Sequence, residues 1–153
     1  SQYTAANVCI AAGGRLALTR AMAALGAVNV GYQLPDYTAY EDMFNVHLAR
    51  FATVPVPTRR EDGFQLTPQY LDREVRDKGL GAFVLSNPCN PTGNVIQGEE
   101  LRALVRVARE RCTTFLFDEF YSHFIYTADG RPGAGPVSAA EFVEDVEREA
   151  VRR

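Results

Sequence analysis

Two near-continuous apolar runs, LGAFVLS (80–86) and TTFLFDEF (113–120), bracket the segment GEELRALVRVARER (98–111). A strand that is apolar on both faces has to be covered on both faces, which is the condition of a strand inside a parallel sheet. Between the runs, Leu101, Leu104, Val105 and Ala108 fall on one stripe of a helix. Glu99 and Glu100 sit at its positive end, and arginines run along its outside. A strand, a crossover helix and a second buried strand restrict the chain to an α/β architecture with a parallel sheet.

The rest of the chain repeats this alternation. NVCIA (7–11) reads as a short strand, followed by Gly13-Gly14 and the helical segment RLALTRAMAALG. There Leu18, Met22 and Leu25 share one face, and Gly26 is placed to end the helix. AVNVGYQ (27–33) is a second strand and YTAYEDMFNVHL a second helix. RFATVPVP is extended, and its prolines suit a sheet edge or a strand end. Thr67-Pro68 is a helix start, an N-cap followed by proline at the first helical position, and Gly79 closes that helix after Lys78. RPGAGP (131–136) is a loop before a last helix, SAAEFVEDVEREAV. The resulting order, β-α-β-α-β-α-β-α-β, calls for a three-layer α/β/α fold around a mostly parallel, doubly wound sheet.

Bulk properties remove several function classes. A net charge of −3 over 153 residues argues against a nucleic-acid partner or an acidic membrane surface. No stretch approaches the roughly 18 consecutive apolar residues of a membrane helix, and the N-terminus lacks the pattern of a secretory signal. Cys9, Cys89 and Cys112 lie far apart, with only two histidines to assist, which suits neither a zinc site nor a disulfide framework. Buried or idle thiols in a reducing, cytoplasmic compartment are expected. Cys89 has no histidine near it in sequence to activate it as a nucleophile. Lys78 is the single lysine, against fifteen arginines.

In open α/β sheets, ligands bind beyond the carboxyl ends of the strands. Three strand ends here carry polar, conformationally special residues. The first runs into Gly13-Gly14-Arg15, at a helix start whose free N–H groups suit a phosphate, although the pair is equally a plain turn and the spacing is not that of a dinucleotide fingerprint. The fourth runs into SNPCNPTG (86–93), where each residue before a proline is pushed out of helical geometry and a stiff, kinked loop results. The fifth ends in Asp118-Glu119-Phe120-Tyr121. Both an acidic cap of the next turn and a partner for a cationic ligand atom are open to Asp118. Tyr121 would lie on the same side if a helical turn begins there.

NPCNPTG, then FLFDEFY about thirty residues on, with AAGGRLAL upstream, resembles the class I/II aminotransferases, which are pyridoxal-phosphate (PLP) enzymes of fold type I. The resemblance spans Asn7 to about Tyr126. It implies that Asn90 hydrogen-bonds the phenolic oxygen of the cofactor, with Pro91 stiffening the backbone behind it. Asp118 then matches the aspartate that pairs with the pyridine nitrogen and keeps it protonated, making the ring an electron sink. Tyr121 matches a tyrosine that also bonds the phenolic oxygen, and Tyr37, in LPDYTAY, the aromatic residue that stacks on the ring. Gly14 and Arg15 match positions whose backbone N–H groups take the phosphate, with Gly13 at the turn. Amino acid and 2-oxo acid substrates and a homodimer follow from the same resemblance.

The match departs from the family in two respects, of which the lysine is the larger. The Schiff-base lysine should follow the aspartate by roughly three dozen residues, and no lysine follows Lys78, which reads as a solvated helix end. Residues 1–153 are therefore expected to be part of a PLP-binding large domain, without its N-terminal segment, later strands and C-terminal small domain, and inactive alone. Such a piece would carry an unpaired sheet edge. Arg15 stands where a small polar residue is more usual; a link to the phosphate and a solvent-facing side chain are both open to it. His47 is expected at the surface, His123 away from the site, and Glu119 in a structural role. Other PLP reactions of the same fold (decarboxylation, elimination, cyclisation or oxidation) and a non-catalytic ligand-binding domain are the alternative functions.

Overall fold

The computed structural model describes residues 3–133 and 135–144. Four strands, β1 (Val28–Leu34), β2 (Phe51–Pro57), β3 (Leu80–Ser86) and β4 (Thr114–Asp118), form one sheet in the order β2-β1-β3-β4. Every pairing is parallel. Four helices accompany them: α1 (Gly14–Ala24), α2 (Ala39–Asn45), α3 (Pro68–Lys78) and α4 (Gly98–Arg111).

Strand periodicity sorts the core into two layers. Val30, Tyr32, Ala82 and Val84 pack with Met22 of α1 and with Tyr40, Met43 and Phe44 of α2. On the opposite face, Val56, Leu80, Phe83 and Leu85 pack with Leu71 and Val75 of α3 and Leu104 of α4. The three-layer α/β/α architecture expected from the runs of apolar residues is therefore present. Gly31 is required by this packing: a Cβ there would stand 2.5 Å from Leu80 Cδ1 and 2.6 Å from Phe83 Cδ2.

Several boundaries follow local rules. Thr67 accepts the N–H of Tyr70 at 3.3 Å, Pro68 takes the first position of α3, and Gly79 closes the helix with a left-handed backbone. Thr67→Ala should cost about 1 kcal/mol of stability, the usual value of such a cap, measurable as a shift in denaturant midpoint. Prolines 55 and 57 lie in β2, which is an outer strand of the sheet.

Other expectations fail for physical reasons. NVCIA is no strand: Ala5–Asn7 is a 3-10 turn, and the extended residues after it leave Val8 65% and Ile10 89% exposed. With no neighbour to pair with or bury against, β-propensity alone does not make a strand. Four strands, not five, are therefore seen among the described residues. Gly26 does not cap α1; that helix gives way at Leu25, which is already extended. β4 is not buried but half-buried, because no further strand covers its outer side among the described residues. In place of the start of the last helix there is a 3-10 turn over Ala139–Phe142 that ends at Val143, whose backbone is extended; the segment from residue 145 on lies outside the described residues. His47 is not a surface residue: it is half-buried against Phe51, ring centroids 5.4 Å apart. No helix among the described residues is long and apolar enough to cross a membrane.

Candidate functional site

The chain leaves β1 for its neighbour β2 on one side, then returns past β1 to β3 and β4 on the other. The winding reverses between β1 and β3, and a crevice opens there beyond the carboxyl ends of the strands. A cavity of about 280 Å³ occupies it, lined by Gly14, Arg15, Leu18, Tyr37, Ser86, Asn90, Asp118, Phe120 and Tyr121. Six of the seven residues singled out in the sequence thus meet at one place. The seventh, Gly13, is the N-cap of α1 just outside it.

Asp118 ends β4, in register with Ser86 at the end of β3. Its carboxylate accepts the hydroxyl of Tyr40 on Oδ2 at 3.0 Å and the N–H of Phe120 on Oδ1 at 3.2 Å. Tyr40 is wholly buried, and desolvation together with the carboxylates of Asp36 and Asp118 drives its phenol far above the usual range. It therefore stays a neutral donor to Asp118. Tyr121, three residues on, is 39% exposed and stands edge-on to Phe120, ring centroids 4.9 Å apart.

The two asparagines of the rigid loop divide the labour. Asn87 is fully buried and closes the loop, donating from Nδ2 to Ile96 O and accepting Ile96 N–H on Oδ1, both at 2.8 Å. Its N–H bonds Asp118 O at 2.9 Å, tying the loop to the end of β4. Asn90 is half-buried and lines the cavity, its N–H held by Ser86 Oγ at 3.0 Å. Gly93 turns the loop with φ 75°, and its N–H closes on Cys89 O at 2.7 Å.

At the mouth, Gly13 takes φ 97°, a conformation open to glycine, and supplies no side-chain cap to α1. The first N–H groups of a helix have no intrahelical partner, so an outside acceptor can satisfy them. Arg15 donates from Nε and Nη2 to the Tyr37 hydroxyl, at 3.2 and 3.0 Å. The side chain left undecided in the sequence therefore clamps the aromatic ring on the cavity wall. Tyr37 also stands edge-on to Tyr40, ring centroids 5.6 Å apart.

Sequence reasoning missed Ser86, which lines the cavity, and Asp36 and Tyr40, which lie behind the lining groups. Asp36 is 6% exposed and accepts Tyr37 N–H at 2.7 Å, Ser86 N–H at 3.0 Å and the Ser86 hydroxyl. Burial pushes its carboxyl up to about 6, against the pull of those hydrogen bonds. The signal available in the letters was an acid between a proline and two tyrosines in LPDYTAY, which also reads as an ordinary turn.

The remaining candidates lie elsewhere. His123 is exposed beside Ser122 and does not line the cavity. Glu119 accepts Ala139 N–H at 2.6 Å and does not line the cavity. Burial pushes the Cys89 thiol upward, which makes it a poor nucleophile. Cys9 and Cys112 are exposed free thiols. Lys78 ends α3 at the opposite, amino-terminal rim of the sheet, ion-paired with Glu74 at 2.7 Å.

A sequence model of the family "Aminotransferase class I and II" matches residues 2–148. The chain is 38% identical over 92 residues to an aspartate aminotransferase of Pyrococcus abyssi, covering 60% of this chain and 23% of that protein. A probable aspartate/prephenate aminotransferase of Aquifex aeolicus is 29% identical over 147 residues, 95% of this chain and 35% of that protein. Among solved structures, an aspartate aminotransferase from Thermus thermophilus with maleate superposes with a TM-score of 0.69 at 30% identity, over 85% of this chain and 32% of that one. An aromatic aminotransferase from Pyrococcus horikoshii gives a TM-score of 0.64 at 31% identity, over 79% of this chain and 30% of that one. The chain thus spans about a third or less of the proteins it matches. With a match over nearly its whole length, and a fold shared with the solved members, the chain belongs to the class I and II aminotransferases.

Proposed function

We propose that these residues form part of the cofactor-binding domain of a longer PLP-dependent aminotransferase, which moves an amino group between an amino acid and a 2-oxo acid. The observation that carries this reading is the convergence of Asp118, Asn90, Tyr121, Tyr37 and the start of α1 on one cavity at the sheet's switch point. The class I and II family uses PLP, and the donor set here fits that molecule. A carboxylate suits a protonated ring nitrogen, a planar aromatic wall suits a planar ring, and an uncapped helix start suits a phosphate.

In this reading Asp118 holds the proton on the pyridine nitrogen, and Tyr40 keeps the Asp118 carboxylate from rotating away. Tyr37 covers one face of the ring, itself held by Arg15. Asn90 and Tyr121 donate to the phenolic oxygen. The N–H groups of Gly14 and Arg15, at a helix end that attracts anions, bind the phosphate. PLP, when bound, supplies the electron sink that lets the bonds at the substrate's Cα break. The lysine that links the cofactor covalently is not among these 153 residues in this reading, since Lys78 is committed to Glu74 and to Pro55 O at the far rim. A homodimer in the cytoplasm completes the proposal, the latter in keeping with three free cysteines.

The test is product analysis of the full-length protein with PLP, an amino acid and 2-oxoglutarate. Glutamate formation is expected. A different product without glutamate would move the assignment to another PLP reaction, and PLP binding with no turnover would leave a ligand-binding domain. Tyr121→Phe in the same protein should raise the pH midpoint of the bound-cofactor absorbance, because the phenolic oxygen loses a donor and becomes more basic. A rate loss of about tenfold should accompany it, in line with one supporting hydrogen bond. An unmoved midpoint would take Tyr121 out of the site.

A further inference from the structure

We propose that Asp36 is a positioning residue of the cofactor site, a buried carboxylate that ties the stacking ring of Tyr37 and the asparagine loop of Asn90 to one anchor. The proposal rests on the PLP reading above.

Tyr37 and Asn90 come from different parts of the chain, one after β1 and one after β3, across the point where the sheet's winding reverses. Nothing in the strand ladder aligns two such loops, since pairing ends at Tyr32↔Val84. Asp36 supplies the missing register. It takes Tyr37 N–H at 2.7 Å on Oδ1 and Ser86 N–H at 3.0 Å on Oδ2. The Ser86 hydroxyl donates to Asp36 Oδ1 and, in turn, accepts Asn90 N–H at 3.0 Å. One carboxylate therefore reaches Tyr37 directly and Asn90 through a single hydroxyl.

Its setting is costly. Asp36 is 6% exposed and has no ion-pair partner among the described residues, and Asp118 adds a second negative charge nearby. A buried carboxylate without a cation loses its hydration and gains only hydrogen bonds in exchange. In return the carboxylate accepts three hydrogen bonds, all from Tyr37 and Ser86, which line the cavity. Ser86 shares this arrangement: it is 5% exposed and its hydroxyl is both donor and acceptor between the two loops.

The test compares wild type, Asp36→Asn and Ser86→Ala in the full-length protein. Three quantities are read: the affinity of the apo form for PLP by absorbance titration, the visible circular dichroism of the bound cofactor, and the thermal midpoint of the apo form. Asp36→Asn keeps the shape but turns one acceptor into a donor facing an N–H or a hydroxyl. It should weaken PLP binding by about 10–100-fold, the usual loss when a group supporting a ligand contact is removed, and diminish the visible dichroism as Tyr37 and Asn90 lose their common anchor. Ser86→Ala frees only the Asn90 branch and should show a smaller loss of the same kind. If the wild type itself does not bind PLP, the functional reading above fails and takes this one with it. If the wild type binds and both variants match it in affinity and dichroism, the positioning role is overturned even where the thermal midpoint falls. Should Asp36→Asn not fold, Ser86→Ala decides alone: unchanged binding and dichroism overturn the proposal, and a loss of both at a wild-type midpoint supports it.

Discussion

Asp118→Ala is expected to lower turnover of the full-length enzyme by about 10²–10³-fold, the scale on which one preorganised electrostatic partner contributes to a reaction. The carboxylate is preorganised because both oxygens are engaged before any ligand arrives, Oδ2 by Tyr40 and Oδ1 by the N–H of Phe120. Tyr40 is wholly buried, so it cannot follow water if its acceptor is removed. Alanine therefore also strands a buried hydroxyl, at about 1–3 kcal/mol of stability. Asp118→Asn separates the two effects, since an amide oxygen can still accept from Tyr40 while the negative charge is gone. Steady-state rates should fall for both variants, and the thermal midpoint chiefly for alanine. Wild-type turnover in the asparagine variant would show that the charge is not used.

Phe83→Ala should remove about 3–5 kcal/mol of stability, as for other large buried aromatic residues. Phe83 is fully buried between α3, α4 and the sheet, packed with Val56, Leu71, Leu80 and Leu104. Its ring also meets Phe115, centroids 5.8 Å apart, and passes over Gly31, whose missing Cβ makes the room. Backbone on both sides of that space belongs to paired strands, so the cavity left by alanine cannot collapse. Denaturant unfolding at an unchanged m-value measures the loss. Ile10, equally apolar but 89% exposed, gives the contrast: Ile10→Ala should stay within about 0.5 kcal/mol, as surface changes do. A loss for Phe83→Ala no larger than that of Ile10→Ala would mean that the second cluster is not a core.

Where an element buries an apolar face, its bounds were legible. LGAFVLS and GEELRALVRVARER match β3 and α4 residue for residue, because a run apolar on both faces and a stripe of leucine and valine each have one compact solution. Thr67, Pro68 and Gly79 marked α3 by chemistry local to the chain. NVCIA and Gly26 misled for one reason: composition carries a propensity, and only a partner to pair with or pack against turns it into an element.

The candidate site divides in the same way. Asn90, Asp118, Tyr121, Tyr37, Gly14 and Arg15 stand at strand and helix ends, and a parallel sheet brings its carboxyl ends to one rim, so their meeting follows from strand order along the chain. Tertiary structure alone decided which groups hold them in place. Asp36 and Ser86 are fifty residues apart in sequence, and Tyr40 and Asp118 seventy-eight. The letters carry no trace of either pairing, because a hydrogen bond across a switch point depends on how two loops are folded over the sheet and not on the pattern of either. The sequence by itself determined the layers, the rim and the residues presented there. The packing of β1 against β3 decided that a buried acid and a buried phenol hold them in place.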